Sequence, residues 1–161
     1  MARDRAIVVR PGEGRVLPLG DALELSFKVD EAETDGRYAI SATTAGPEHP
    51  GTTAHVHREH DDVFYVTAGT LAFQVGDEAF GAPAGTLVVV PRGLAHRWWN
   101  PLPEPVAFLN LHVPGYGFER FVGELSELSA AGTASPGAMV ELGLRYDVHF
   151  DEEELESRYG A

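Results

Sequence analysis

The sequence predicts an all-β protein: an antiparallel β-sandwich or barrel with short carboxyl-terminal α-helices. Three observations lead there. From about residue 15 to residue 114 the chain is cut into short alternating or apolar runs, separated by Gly- and Pro-containing turns at close spacing. Beyond about residue 115 the apolar period changes from two to helical spacing. The length, 161 residues, suits one domain, and no internal repeat divides it. A single domain over 1–161 is therefore expected, with a β core at about 15–114 and a helical tail at about 115–161.

Taken in order, Pro11, Gly12 and Gly14 mark a turn before a first run at 16–19. Residues 22–30 alternate cleanly, with Leu23, Leu25, Phe27 and Val29 apolar and Glu24, Ser26, Lys28 and Asp30 polar, as in a half-buried strand. Residues 31–36 form a polar turn. Residues 37–44 alternate again, placing Tyr38, Ile40 and Ala42 on one face. A Gly- and Pro-rich loop at 46–51 leads to the next strands. Residues 69–75 make a strand, 76–78 a hairpin turn, 78–81 a short strand and 82–85 a further turn. Residues 86–90 are almost continuously apolar, which predicts burial on both faces. Runs at 95–100 and 105–113 complete the sheets.

In the tail, Phe118, Phe121, Val122, Leu125 and Leu128 fall at helical spacing and predict a helix over about 117–129, laid against the outside of the β core. Residues 130–134 form a loop. Ser135-Pro136 suits an N-cap followed by a first helical position, and Met139, Val140, Leu142 and Leu144 line the short helix it opens. Residues 151–154 are acidic, like the start of a last helical turn.

Composition narrows the function. Twenty-five acidic against 12 basic residues give a net charge of −13, which argues against nucleic acid and anionic membranes as partners. With no cysteine, disulfides and thiolate metal ligands are excluded, leaving histidine and carboxylate chemistry. The amino terminus carries charges throughout and has no apolar core of a secretory signal. No apolar run approaches the ~18 residues that a membrane-spanning helix needs. A cytoplasmic protein is expected.

The chemistry-bearing stretch is 51–100. His55 and His57 are two apart, so in a strand they share a face. The surrounding Thr52, Thr53, Val56, Val63, Phe64, Tyr65 and Val66 favour strand. Asp62 follows, with Phe64 and Val66 on its face. His96 comes just after a Pro-x-Gly turn, with Trp98 on its face. Three imidazoles and a carboxylate converging inside a β core suit one divalent transition metal: Zn, Fe, Ni, Co, Mn or Cu.

These residues resemble the two signature motifs of the cupin superfamily. His55-x-His57, four residues, Asp62, six residues and Gly69 follow the first motif. Gly85, Pro91, Gly93, His96 and Asn100 match the second at every position. Two features depart from the pattern. Asp62 stands where cupins usually carry Glu, and Gly51 is separated from His55 by three residues rather than five. The resemblance implies a jelly-roll β-sandwich, metal ligation by His55, His57, His96 and Asp62, and a common homodimeric state, to which the early alternating strand would contribute by adding to a partner's sheet edge. In the tail, residues 117–121 and Tyr146-Asp147-Val148-x-Phe150 resemble single-domain bacterial quercetinases, cupin dioxygenases that cleave flavonols with O2.

Phe64, Phe73 and Trp98 would line the substrate cavity by alternation, joined by Phe27, Tyr38 and Phe108. Asn100 would fix a turn. His60 and His49 read as solvated loop histidines. The expected activity is a metal-dependent dioxygenase acting on an aromatic, flavonol-like small molecule, with Asp62 as catalytic base. The alternatives are a zinc cupin that cyclises or isomerises an aromatic polyketide-like substrate, and a non-catalytic ligand-binding cupin.

Overall fold

The computed structural model describes residues 6–20 and 22–160. Residues 1–5, the start of the charged amino-terminal stretch, lie outside that set. The alternating runs become β1 (Arg15–Pro18), β2 (Leu23–Val29), β3 (Ala39–Ala45), β4 (His55–Val56), β5 (Asp61–Ala68), β6 (Thr70–Val75), β7 (Glu78–Pro83), β8 (Leu87–Val90), β9 (His96–Trp99) and β10 (Val106–Val113). The tail holds α1 (Phe118–Ala130), α2 (Pro136–Arg145), β11 (His149–Phe150) and α3 (Glu152–Tyr159). A short 3-10 helix, Glu31–Thr34, occupies the expected polar turn.

All strand pairs are antiparallel, in two sheets ordered β1-β2-β3-β10-β5-β8 and β11-β4-β9-β6-β7. The sheets face each other, with Phe64 against Phe73 at 5.1 Å between ring centroids and Trp98 against Phe108 at 5.0 Å. Around these rings lie Val66, Leu71, Val90 and Val106, all buried. Fully burying a side chain of this size contributes about 1.5–3 kcal/mol, which gives the sandwich its main support.

Three strands differ from expectation. β8 is an edge strand paired only with β5, so just one of its faces is covered. Val88 and Val90 are buried, while Leu87 is 60% and Val89 55% exposed. On β3 the buried face carries Ala39, Ser41, Thr43 and Ala45, and Ile40 and Ala42 lie on the other. β2 is flanked by β1 and β3 and has no free edge to offer a partner; the edges of that sheet are β1 and β8.

The tail also differs. The stripe on α1 does not lie against the outside of the sandwich. Phe121 and Val122 pack with Leu25 and Phe27 of β2 and with Leu142 and Val148, forming a second core over one end of the sandwich. Ser135 caps α2 by accepting from the Ala138 N–H at 3.3 Å, and Asp151 caps α3 by accepting from the Glu154 N–H at 2.9 Å. Among the described residues, no helix is long and apolar enough to cross a membrane.

Candidate metal centre and cavity

Strand pairing brings the motif residues together. His55 on β4 is the register partner of His96 on β9, and their rings lie 4.4 Å apart. His57 follows one residue past β4, its ring 4.8 Å from that of His55. Asp62 on β5 reaches them from the facing sheet. All four are buried. Gly51 makes this packing possible. It adopts φ +70°, and a Cβ there would fall 1.6 Å from the Trp98 carbonyl oxygen.

Hydrogen bonds to backbone carbonyls set the imidazole tautomers. His55 Nδ1 meets the Thr53 carbonyl at 2.8 Å, His57 Nδ1 the Asp147 carbonyl at 2.7 Å and His96 Nδ1 the Leu94 carbonyl at 3.1 Å. A carbonyl only accepts, so each Nδ1 carries the proton and each Nε2 presents a lone pair. Asp62 Oδ2 lies 3.2 Å from His96 Nε2 and 3.4 Å from His57 Nε2. His57 Nε2 is buried and has no hydrogen-bond partner. Burial, reinforced by His96 and His57, pushes the His55 pKa well below its ordinary value. Burial alone would raise the Asp62 carboxyl; His112 and His57 outweigh it and hold the group well below the usual carboxylate range. One carboxylate and three imidazoles, with ligand atoms within 4.8 Å of one another, fit a divalent transition metal.

Three residues around this cluster escape the sequence reading. His112 on β10 is the register partner of Asp62, and its Nδ1 lies 2.7 Å from Asp62 Oδ1. Asp62 Oδ1 nonetheless has no hydrogen-bond partner, and His112 Nδ1 also faces His60 Nε2 at 3.1 Å. Alternation along β10 puts His112 on the face of Phe108, which is the signal that finds it. His60, expected in solvent, is fully buried instead. The cause is Asp147, whose carboxylate accepts from the Arg58 N–H at 2.9 Å, the Glu59 N–H at 2.7 Å and His60 Nδ1 at 3.0 Å, and so folds the loop inward. Burial, followed by repulsion from His57 and His112, pushes His60 down to about 3.

A cavity of about 330 Å³ opens beside the cluster. His55, His57, Asp62, Asn110 and His112 form its polar end. Phe64, Trp98 and Phe108 line it, and Phe118, Phe121, Val122 and Leu125 of α1 add a second wall. His49, expected to be exposed, is half-buried on this wall, with its ring stacked on Trp98 at 6.0 Å. The other three expected pocket residues lie elsewhere. Tyr38 is exposed because the inward face of β3 is the opposite one. Phe73 packs behind Phe64, and Phe27 sits in the second core behind Phe118, at 6.0 Å. Asn100 holds its turn as expected: Nδ2 donates to the Gly46 carbonyl at 2.7 Å and the Glu104 carbonyl at 2.8 Å, while Oδ1 accepts from the Leu102 N–H.

Residues 43–112 match the Cupin_2 family model, a cupin domain. Over that segment the chain is similar to a cupin domain, and it shares its fold with solved cupin structures. It is 31% identical over 78 residues to an uncharacterized protein of Streptomyces coelicolor, covering 48% of this chain and 68% of that protein. In structure it is similar to a predicted oxalate decarboxylase of Thermotoga maritima, with a TM-score of 0.62 and 16% identity over 66% of this chain and 98% of that one. It is also similar to the polyketide cyclase RemF of Streptomyces resistomycificus, with a TM-score of 0.57 and 17% identity over 68% and 80% of the two chains. At these identities the likeness is one of fold.

Proposed function

We propose that this is a metal-dependent cupin enzyme that uses dioxygen to oxygenate or cleave an aromatic, flavonol-like small molecule. One observation supports the reading above all. A buried, ionised carboxylate, Asp62, stands among three imidazole nitrogens at the polar end of an otherwise apolar, aromatic-lined cavity. At about 330 Å³ the cavity falls at the small-ligand end of the usual range of roughly 300–1,000 Å³.

His55, His57 and His96 would hold the metal, with Asp62 Oδ2 at its side. When bound, the metal supplies Lewis-acid polarisation of a substrate oxygen and, in a redox-active form, access to dioxygen chemistry. The chain's own residues do the rest. Phe64, Trp98 and Phe108 offer faces and edges to a planar ring. Asp62 accepts the proton of a phenolic or enolic hydroxyl. The α1 wall keeps water from the activated ring. A second reading, cyclisation of a polyketide-like phenol by a zinc cupin, shares the proton removal by Asp62 and draws on the fold likeness to the polyketide cyclase. We further propose that the protein is a homodimer.

Metal analysis of protein purified without added metal, combined with oxygen uptake over a panel of flavonols and polyketide-like phenols, tests the reading. A redox-active metal with flavonol-dependent oxygen uptake supports it. Zinc with product but no oxygen uptake replaces it with the second reading. Binding without turnover across the panel makes the protein a non-catalytic binder. His57→Ala and His96→Ala should each empty the centre, and full occupancy in both would refute it.

A further inference from the structure

We propose a second metal position beside the first, formed by His60 Nε2, His112 Nδ1 and Asp62 Oδ1, which takes a divalent transition metal. Asp62 would then turn Oδ1 to the new ion, leaving Oδ2 at the side of the three-histidine centre as the base. That shared role rests on the metal centre proposed above, while the other two ligands stand apart from it.

Hydrogen bonding leaves these three atoms without protons. Asn110 Oδ1 lies 2.8 Å from His112 Nε2, and the amide nitrogen of Asn110 faces the Val63 carbonyl at 3.4 Å, which orients the oxygen toward the histidine. An amide oxygen only accepts, so His112 Nε2 carries the proton and Nδ1 is bare. His60 Nδ1 donates to the Asp147 carboxylate at 3.0 Å, so its Nε2 is bare as well. Asp62 Oδ1 is buried and has no aligned hydrogen-bond donor.

The three bare atoms nevertheless converge. His60 Nε2 and His112 Nδ1 are 3.1 Å apart, Asp62 Oδ1 is 2.7 Å from His112 Nδ1, and it is 4.0 Å from His60 Nε2. The side chains are at most 3% exposed, so water does not screen them. Dry acceptors facing one another are costly unless a cation lies between them. Ligands at about 2.0–2.2 Å from one ion subtend separations of this size. Two imidazoles and one carboxylate favour Zn, Co, Ni, Fe or Mn over calcium or magnesium. The rings are also held in place. His112 stacks on Phe118 at 3.5 Å, and His60 stacks on Tyr116 at 5.9 Å.

The test is diffraction from crystals of the whole chain soaked in cobalt(II), with anomalous maps at the cobalt edge, alongside equilibrium dialysis and elemental analysis in solution. The expected result is two peaks about 3.5–4 Å apart and about two ions per chain, the arrangement of a two-metal site. His112→Phe preserves the ring stack on Phe118 and should lose the second ion only. His96→Ala should keep the ion between His60 and His112. A single peak at the three-histidine centre, with unchanged stoichiometry in His112→Phe, overturns the second site and leaves the first centre intact; the two imidazoles then share a proton. A peak between His60 and His112 with none at the three histidines supports the new site and refutes the earlier centre. No peak at either position refutes both. The wild-type map needs no variant to fold.

Discussion

His57 Nδ1 donates to the backbone carbonyl of Asp147 at 2.7 Å, joining positions ninety residues apart. The same residue's carboxylate gathers the N–H groups of Arg58 and Glu59 and the ring of His60. It does so at φ 60°, a left-handed conformation that Asp and Asn tolerate better than most residues. One tail residue thus orients both a candidate ligand and the loop after it. Asp147→Asn keeps the backbone carbonyl and the tolerated φ but removes the charge and half of the acceptors. Metal affinity should fall by about 10–100-fold, the usual effect of disturbing a ligand's outer partner, as measured by competition with a chelator. Unchanged affinity would remove the tail from the centre's support.

Asp62→Asn keeps size and one oxygen but removes the base. The three-histidine centre should retain near-normal metal, because three neutral imidazoles already form a tight site. Turnover should drop by ~10²-fold or more, as for loss of a general base. Asp62→Glu should retain metal. If Asp62→Asn empties the centre, the residue is a structural ligand; if turnover is unchanged, it has no acid–base role.

Leu125 lines the cavity from α1. Leu125→Trp should shrink the space for substrate, raising KM or abolishing binding of larger ring systems while metal content stays at wild-type level. Titration calorimetry and metal analysis on the same preparation separate the two effects. Equal affinity for large and small phenols would show that the α1 wall does not bound the substrate.

Glu119 is 6% exposed, and its Oε2 has no hydrogen-bond partner. Burial, with Glu31 and Asp30 nearby, raises its pKa above the ordinary 4.5. The folded state therefore holds this proton more tightly than the unfolded chain. The group's contribution to stability is present below about 4.5 and is lost as pH rises through the raised value. Glu119→Gln, always neutral, should melt higher at pH 7, by about 2–4 °C for each kcal/mol gained, and the gain should vanish near pH 4. Thermal melts at both values check this; an equal shift at both would rule out titration as the cause.

Tyr65 on β5 and Leu87 and Val89 on the free edge strand β8 are all exposed, and Tyr65 is the register partner of Leu87. An exposed apolar face beside an unpaired strand edge invites a second copy. Light scattering should give about twice 17.4 kDa, and Leu87→Lys should shift the population to 17.4 kDa. A wild-type particle of 17.4 kDa would reject the dimer.

Much of the sandwich is legible from period alone, because strands with one covered face must alternate. β2 reads that way. β8 misleads because an edge strand can carry an apolar run for reasons other than two covered faces. His55, His57 and His96 are legible because spacing and turn residues place them. His60 and Asp147 are not, since their burial depends on a contact eighty-seven positions apart that no local pattern encodes. The α1 stripe shows an apolar face but not what it covers, which is why part of the cavity wall comes from a helix assigned to the outside.

The cavity is a composite of several chain segments. Strands from His55 to His112 build its reactive end, whereas the α1 residues Phe118 to Leu125 supply much of the opposite wall. Shape and chemistry are therefore separately editable. New ring systems can be admitted by rewriting Val122 and Leu125 on one helix, with Phe118, which stacks on His112, left in place. The freedom stops at Asp147, the stitch that ties the tail to His57. A graft that replaces the helical wall should be joined before that residue.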